Sequence, residues 1–282
     1  MKEPRRSGER LRLPTETIHH YEAGAESGRL ESAGGLLELL RTKEIITRYL
    51  PRNRADILDV GGGPGVYSKW LAELGHHVHL IDAVPSHVKQ ARAFARNGSR
   101  ELFDAQQGDA RHLDWPSDSV DIALMLGPLY HLTKKQDRIR ALKEAHRVLR
   151  PGGLLIAAAI SRYASLVDGL RHQFMDDPIF RKILRRDLKD GQHRNPLGKK
   201  YYFTTSFFHH PDELTEEVAA SGFALRKVYA VEGPAVILRS KELDERLRNE
   251  ITRRRLLSFI AAVETEPTLL GISLHILVIA TA

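Results

Sequence analysis

The sequence predicts an α/β protein with a doubly wound parallel sheet. Two observations support this fold class: short apolar runs typical of buried strands alternate with segments of helical spacing, and a glycine-rich loop follows the first of these runs. The chain has 282 residues, of which 42% are hydrophobic. That is enough for one large core with inserted segments.

Seven strands are expected, each short and apolar. They lie near residues 55–60, 77–82, 102–106, 119–126, 153–160, 223–231 and 273–281, with helices between the first five. Residues 16–50 have the pattern of two helices that precede the first strand. Pro211 begins a helix that ends near Gly222, and residues 241–264 have the pattern of one further helix before the last strand.

The glycine-rich loop is the most informative motif. The first strand ends with Asp59, and glycines then stand at every second position, Gly61, Gly63 and Gly65. Glycine lets the backbone come close to a ligand because no Cβ stands in the way. A loop between a strand and a helix N-terminus is also the usual nucleotide site of such a sheet.

The spacing of the loop excludes two common phosphate sites. The dinucleotide fingerprint would need its third glycine at position 66 or 68, which are Val66 and Ser68. A P-loop requires Gly-Lys-Ser/Thr, but the first lysine after these glycines is Lys69. The pattern that fits is Asp-x-Gly-x-Gly-x-Gly, which resembles motif I of the class I S-adenosylmethionine (SAM) methyltransferases. A leading acid suits SAM, which carries a cationic ammonium and a sulfonium and has no phosphate.

Three later landmarks follow in the order of the same family. Asp82 ends the second strand about 20 residues after the loop, where a carboxylate can accept both ribose hydroxyls. The resemblance implies that Asp109, in Gly-Asp-Ala, contacts the adenine amino group, and residues 151–153 resemble the family's Pro-Gly-Gly turn. The cofactor-binding residues expected on these grounds are Asp59, Gly61, Gly63, Gly65, Asp82, Ala83, Gly108, Asp109, Ala110 and Leu126.

The resemblance covers residues 55–160 and implies a Rossmann-like methyltransferase fold. The sheet should then have seven strands, mostly parallel, with the last two forming an antiparallel edge. We expect a helical N-terminal lid over residues 1–50 and a SAM-binding core over residues 51–160. We expect a helical substrate-cap insert over residues 161–210. Residues 211–282 should form the rest of the core sheet, with an inserted helix. Such added segments should determine the substrate.

The N-terminal segment supplies two further candidates for cofactor binding. In related small-molecule methyltransferases such a segment closes over SAM, and here it contains Tyr21 and Arg29. Arg29 could hold the methionine carboxylate. The alternative is a surface ion pair of Arg29 with Glu26 or Glu31.

The acceptor is expected beyond the end of the fourth strand. That segment, residues 126–132, lacks the Asn/Asp-Pro-Pro-aromatic motif that grips nucleic-acid bases and the carboxylate cluster of metal-dependent catechol methyltransferases. His131 is the candidate general base, because a histidine can be neutral and accept a proton near pH 7. The alternative is a packing histidine, and proximity alone could suffice. The candidate substrate-binding residues are Tyr130, Arg162, Tyr163 and His210, and no metal ligands are predicted.

The net charge of +7 is concentrated in residues 180–200, where eight basic residues accompany two acids. A basic patch can bind nucleic acid. The segment also has an apolar stripe and few aromatic residues for stacking on bases, so a solvated amphipathic helix is the preferred interpretation. Nucleic acid is therefore not the expected partner.

The absence of cysteine excludes disulfides and methyl transfer through a cysteine nucleophile. With no run of about 18 apolar residues and no signal-peptide pattern, a cytoplasmic protein without membrane segments is expected. The preferred function is methyl transfer from SAM to a small-molecule metabolite or natural product at N, O or C, with S-adenosylhomocysteine as the product. The alternatives are an RNA or protein methyltransferase and a SAM-binding protein that does not methylate. Homo-oligomers through the N-terminal helices are plausible.

Overall fold

The structure, a computed structural model, describes residues 21, 28, 30, 32–95, 103–199 and 201–282. Arg29 and most of the first helix expected in the lid lie outside these ranges. The elements described are, in chain order, α1 (Ala33–Thr47), β1 (Asp56–Val60), α2 (Val66–Glu73), β2 (His77–Asp82), α3 (Pro85–Ala95), β3 (Phe103–Gln107), β4 (Val120–Met125), α4 (Pro128–His131), α5 (Lys135–Val148), β5 (Leu149–Ile160), α6 (Ala164–Arg171), α7 (Pro178–Asp190), β6 (Gln192–His193), β7 (Ser206–Phe207), α8 (Pro211–Ala220), β8 (Ala224–Ala230), α9 (Ser240–Arg248), α10 (Glu250–Val263) and β9 (His275–Thr281).

The main sheet has seven strands in the order β3-β2-β1-β4-β5-β9-β8. β1 to β5 pair in parallel, and β9 runs antiparallel to both of its neighbours, β5 and β8. The doubly wound, mostly parallel sheet expected from the sequence is therefore confirmed. The reversal at β9 places its first residue, His275, beside Ile160 at the carboxyl end of β5.

Both faces of the sheet are buried, which is why its strands read as continuous apolar runs. Ile57 and Leu58 are neighbours in β1 and point to opposite sides. Ile57 packs with Ile46 of α1 and Leu71 of α2, and Leu58 packs in the core on the other face, which contains Leu142 of α5. Helices thus cover both faces and leave the carboxyl edge of the parallel strands for a site.

The segment 161–210 contains two helices, α6 and α7, and the short ribbon of β6 and β7. In α7 the apolar side chains Phe180, Ile183 and Leu184 are buried. Basic side chains on the same helix, among them Lys182 and Arg186, are exposed. The basic stretch therefore includes an amphipathic helix with a solvated charged face.

The prediction of one helix over residues 241–264 was wrong at one point. Asn249 has an extended backbone conformation and separates α9 from α10. Its side chain accepts hydrogen bonds from the backbone N–H groups of Ile251 and Thr252, at 3.0 and 3.1 Å. Asparagine competes for the backbone in this way at helix starts, so it caps α10 instead of continuing α9.

Candidate active site

A mostly apolar cavity of about 360 Å³ lies at the carboxyl edge of the parallel strands. Its walls come from the segments that follow β1, β2, β3 and β4, and from α1 and the adjoining ends of β5 and β9. Tyr21, Gly28 and Leu30 close it from the N-terminal side. The cavity is of the size that ligand pockets have in proteins.

The glycine loop and the end of β2 are joined by hydrogen bonds. The backbone N–H of Gly63 donates to Oδ2 of Asp82 at 2.8 Å, and the N–H of Val84 donates to Oδ1 at 2.8 Å. The Nδ1 atom of His87 lies 3.3 Å from the same Oδ1. Each carboxylate oxygen has two lone pairs, so Asp82 retains acceptor capacity for a ligand at the cavity wall.

Two loop glycines are required for different reasons. A Cβ at Gly61 would lie 2.6 Å from Cγ of Pro128, so the loop packs too closely for any side chain there. Gly63 has a φ of 57°, which favours glycine, and a Cβ on it would meet only Nδ1 of His87, at 4.0 Å. The space above Gly63 is the cavity itself, which leaves the backbone open to a ligand.

Asp59 is a buried carboxylate in the wall of the cavity, with only 1% of its surface exposed. The hydroxyl of Ser68 donates to its Oδ2 at 2.6 Å. Burial raises the pKa of Asp59 to about 7, and the nearby charge of Asp82 acts in the same direction, although the Ser68 hydrogen bond opposes it. A cationic ligand group beside Asp59 would favour its ionised form.

Asp109 also lines the cavity, and Arg111 holds its side chain. The Nε and Nη2 atoms of Arg111 donate to the two carboxylate oxygens at 2.9 and 2.7 Å. Such a bidentate pair fixes the plane of the carboxylate. The remaining lone pairs of Asp109 are the ones that a ligand amino group could use.

Tyr21 connects the N-terminal segment to the end of β4. Its hydroxyl shares a hydrogen bond of 2.6 Å with Nε2 of His131, and its ring lies edge-on to the rings of His131 and His87. Tyr21 and His131 are both buried. The candidate base is thus part of the contact that completes the cavity wall.

Residues 58–157 match a family model described as a methyltransferase domain. That range begins in β1 and ends in β5, so it contains the glycine loop and the segments that follow β2, β3 and β4.

The chain contains a methyltransferase domain and has the fold of the SAM-dependent methyltransferases.

Similarity to individual proteins agrees with this assignment. The ubiquinone/menaquinone biosynthesis C-methyltransferase UbiE of Ruegeria sp. (strain TM1040) is 29% identical over 171 residues, which are 55% of this chain and 66% of that protein. The ubiquinone biosynthesis O-methyltransferase of Maricaulis maris (strain MCS10) is 33% identical over 107 residues, 38% of this chain and 41% of that protein. The chain therefore spans just under two thirds of the first of these curated relatives and about two fifths of the second.

A solved structure shows the same fold. The S-adenosylmethionine-dependent methyltransferase of Mesorhizobium loti superposes with a TM-score of 0.58 at 19% identity, over 86% of this chain and 98% of that one.

The site of the methyltransferase fits its cofactor, SAM. Three carboxylates, Asp59, Asp82 and Asp109, line one cavity. SAM offers an ammonium, two ribose hydroxyls and an adenine amino group, all of which can donate to carboxylates. The pairing of each carboxylate with one of these groups stays a prediction, as does the carboxylate contact of Arg29.

Most predicted cofactor residues come together in the wall. Besides the residues above, Ala83, Gly108, Ala110, Leu126 and the predicted substrate residue Tyr130 line the cavity. Gly65 does not. It precedes α2 in a left-handed conformation, and a Cβ there would lie 3.3 Å from atoms of Ala91 and Phe103, so its place in the loop is one of packing.

Three predicted substrate residues of the methyltransferase lie away from the cavity wall. Nε of Arg162 donates to the carbonyl of Phe208 at 2.8 Å, and its Nη2 pairs with Glu213. Tyr163 and His210 lie edge-on to each other, with ring centroids 6.1 Å apart. Substrate contacts of Arg162, Tyr163 and His210 therefore stay predictions that this geometry does not bring to the cofactor residues.

A polar group that the sequence did not point to lies at the other end of the cavity. Glu38 of α1 and His275 of β9 both line it, and Glu232 lies directly behind His275. A signal did exist. β8 runs parallel to β5 while β9 runs antiparallel, so residues just after β8 and at the start of β9 share the carboxyl edge.

Proposed function

We propose that the protein transfers the methyl group of SAM to a small-molecule metabolite or natural product at an N, O or C atom. The observation that carries this proposal is the single cavity that continues from the glycine loop and Asp82, past the end of β4, to α1 and β9. The first part suits SAM, and the second offers space to an acceptor beside the apolar side chains of Leu39 and Ala158. The relatives named for ubiquinone biosynthesis, with C- and O-methyl transfer, support a small acceptor of this kind.

The residues of the chain would act mainly by positioning. SAM supplies an already activated methyl group, so the protein must align the acceptor atom, exclude water and, where required, accept a proton. Leu39, Leu126 and Ala158 give the cavity an apolar wall that suits these tasks. Tyr130 and His131 stand beyond the end of β4, where the acceptor of such a sheet is expected.

Activity on small molecules is tested by measuring S-adenosylhomocysteine release with a metabolite extract, with a panel of phenols and with total RNA. We expect release with the extract or the phenols and none with RNA. Release with RNA alone would favour the alternative function, in which the exposed basic face of α7 binds nucleic acid. SAM binding without release under any of these conditions would favour a protein that binds SAM without methylating.

The assignment of the cofactor half is tested by Asp82→Ala. We expect SAM affinity to fall by about 10- to 100-fold, because two hydrogen bonds from ribose hydroxyls to a charged group would be lost. The matched control is Asp104→Ala, an exposed aspartate of β3 that pairs with His79 and lies outside the cavity wall. Calorimetry that finds equal SAM affinity for both variants would rule out the ribose contact.

A further inference from the structure

One end of the cavity is formed by a carboxylate–histidine pair, of which the carboxylate is buried. Oε1 of Glu232 lies 2.6 Å from Nδ1 of His275. Glu232 is only 2% exposed, whereas His275 lines the cavity. The pair lies at the acceptor end, away from the glycine loop, and neither residue belongs to the predicted cofactor set.

Other hydrogen bonds fix the orientation of Glu232. Its Oε2 accepts from the hydroxyl of Ser273 at 2.7 Å and from the backbone N–H of His275 at 3.0 Å. The Ser273 oxygen in turn accepts from the backbone N–H groups of Glu232 and Gly233, at 3.0 and 3.2 Å. The carboxylate therefore has one position relative to the imidazole, set by the end of β8 and the start of β9.

This geometry selects one tautomer of the imidazole. Burial alone would raise the pKa of Glu232, but the charge and the hydrogen bonds of His275 hold that pKa below its usual value. An ionised carboxylate can only accept hydrogen bonds, so the Nδ1 of His275 carries the proton that it donates. The Nε2 atom on the other side of the ring is then the proton acceptor of the neutral histidine.

The charged groups around His275 come from several elements. Oε2 of Glu38, on α1, lies 3.9 Å from Nδ1. Asp168, on α6, interacts electrostatically with His275 and Glu232 and with Arg171 and His172, and burial raises its pKa. The acids around the imidazole thus come from α1, from α6 and from the segment after β8, whereas Arg171 and His172 interact with Asp168.

A metal site is the rival interpretation of this cluster. Among the described residues, Glu38, Glu232 and His275 bring donor atoms within 4.8 Å of one another. Both oxygens of Glu232 already accept hydrogen bonds, and Nδ1 of His275 is bonded to one of them. A metal would have to break these bonds, so the arrangement favours a proton-transfer pair.

We propose that His275, oriented by Glu232, is the general base that removes the proton of the acceptor during methyl transfer. The proposal rests on the methyltransferase activity proposed above and narrows its substrate class. The acceptor would carry an ionisable proton on its nucleophile, as a phenol, an enol or a protonated amine does. A thioether or a tertiary amine would need no such base.

The electron pair of the acceptor atom forms a bond to the methyl carbon, and the carbon–sulfur bond breaks with its pair kept by sulfur. The proton of the acceptor passes to Nε2 of His275, and the resulting imidazolium is stabilised by the Glu232 carboxylate. Glu232 does not take the proton, so it is a positioning residue. The imidazolium later releases the proton to solvent.

The first test reads the imidazole directly and needs no acceptor. In ¹⁵N-histidine-labelled protein, with His275→Asn used to assign the signals, we expect His275 to be protonated at Nδ1 and not at Nε2 at pH 8. In Glu232→Gln the titration of His275 should move to lower pH, because a negative partner is lost. The Nε2–H tautomer in the wild type, or an unmoved titration, would overturn the proposal.

The second test is kinetic and uses any phenol of the panel on which the wild type acts. His275→Asn should lower kcat by about 10²- to 10⁴-fold and leave SAM affinity unchanged. In Glu232→Gln the rise of kcat/KM with pH should shift to lower pH. The matched control is His77→Asn, which removes a histidine paired with Asp56 at the amino end of β2, away from the cavity. It should retain full turnover.

These measurements distinguish the loss of a general base from the absence of methyl transfer. Full turnover in His275→Asn would overturn the base but leave the methyltransferase activity standing. Turnover that requires added Mg²⁺ or Zn²⁺ would replace the base with a metal site. If the wild type binds SAM but methylates nothing, the proposed function fails, and the inferred base fails with it, whatever the tautomer of His275.

Discussion

We expect Asp59 to link protonation to cofactor binding. Its pKa in the folded protein is about 7, against 3.8 for an ordinary aspartate, so the folded chain holds a proton between these values that the unfolded chain has released. The contribution of this group to stability therefore falls as the pH rises from about 4 to 7. The ammonium of SAM, placed beside Asp59, would favour ionisation and expel that proton.

The resulting prediction is that SAM binding near pH 6 releases up to about one proton. Calorimetry in buffers of different ionisation enthalpy measures that release. Asp59→Asn should abolish it and flatten the pH dependence of affinity, since asparagine carries no titratable proton. Equal release in the variant and the wild type would place the proton on another group.

Substitution of Gly63 can distinguish backbone strain from obstruction of the SAM site. Gly63 and Gly75 both have left-handed backbones, with φ of 57° and 95°, and a Cβ on either would meet no atom closer than 4.0 Å. Valine at either position should cost stability by about 1–2 kcal/mol through backbone strain. SAM affinity should fall strongly in Gly63→Val alone, because only that side chain enters the cavity. Thermal melts and calorimetry on both variants make the comparison.

At the level of elements, a buried ion pair joins α5 to α8. Nε and Nη2 of Arg138 donate to the two oxygens of Glu217 at 2.8 and 2.6 Å, and the guanidinium lies 3.6 Å above the ring of Phe207. Burial would raise the pKa of Glu217, but hydrogen bonds from Arg138 and His209 bring it down to about 2. The pair holds β7, and with it the insert, against the core.

Glu217→Gln should therefore destabilise the protein by about 3–5 kcal/mol at pH 7, because Arg138 keeps its charge in a buried site. The folded pKa is depressed, so the contribution of Glu217 is present above about pH 4.5 and is lost as the pH falls toward 2. Urea unfolding should show the gap between variant and wild type narrowing over that range. The control Asp244→Asn, which breaks an exposed pair with Arg248, should cost less than about 1 kcal/mol.

Strands and helices could be predicted from the sequence where burial imposes a repeating pattern of apolar residues. The strands could be located because both faces of the sheet are covered, which makes each run apolar throughout. The break at Asn249 could not be predicted, because the residues on either side continue a helical pattern. A single asparagine side chain caps α10 and thereby ends α9. The ion pair of Arg162 with Glu213 could not be predicted either, because it joins the segment between β5 and α6 to α8 and follows no local spacing.

At the level of the whole molecule, the sequence could predict that the proposed cofactor residues lie at one edge of the sheet, but not that Glu232 and His275 meet there. Asp59 and Asp82 lie at the carboxyl ends of β1 and β2, and Asp109 follows β3, so chain order alone places them at one edge. Glu232 and His275 are 43 residues apart. They meet because β9 enters the sheet between β5 and β8, and this depends on strand order, which no local pattern of residues records.

That strand order also constrains how the protein matures during synthesis. β9 lies between β5 and β8, and in the described sheet β8 pairs with no other strand. Before residue 275 emerges from the ribosome, the nascent chain can assemble β1 to β5. At that stage one edge of β5 is unpaired, and β8 has no strand to pair with. Its glycine loop could form early, but the Glu232–His275 pair arises only when the last strand docks.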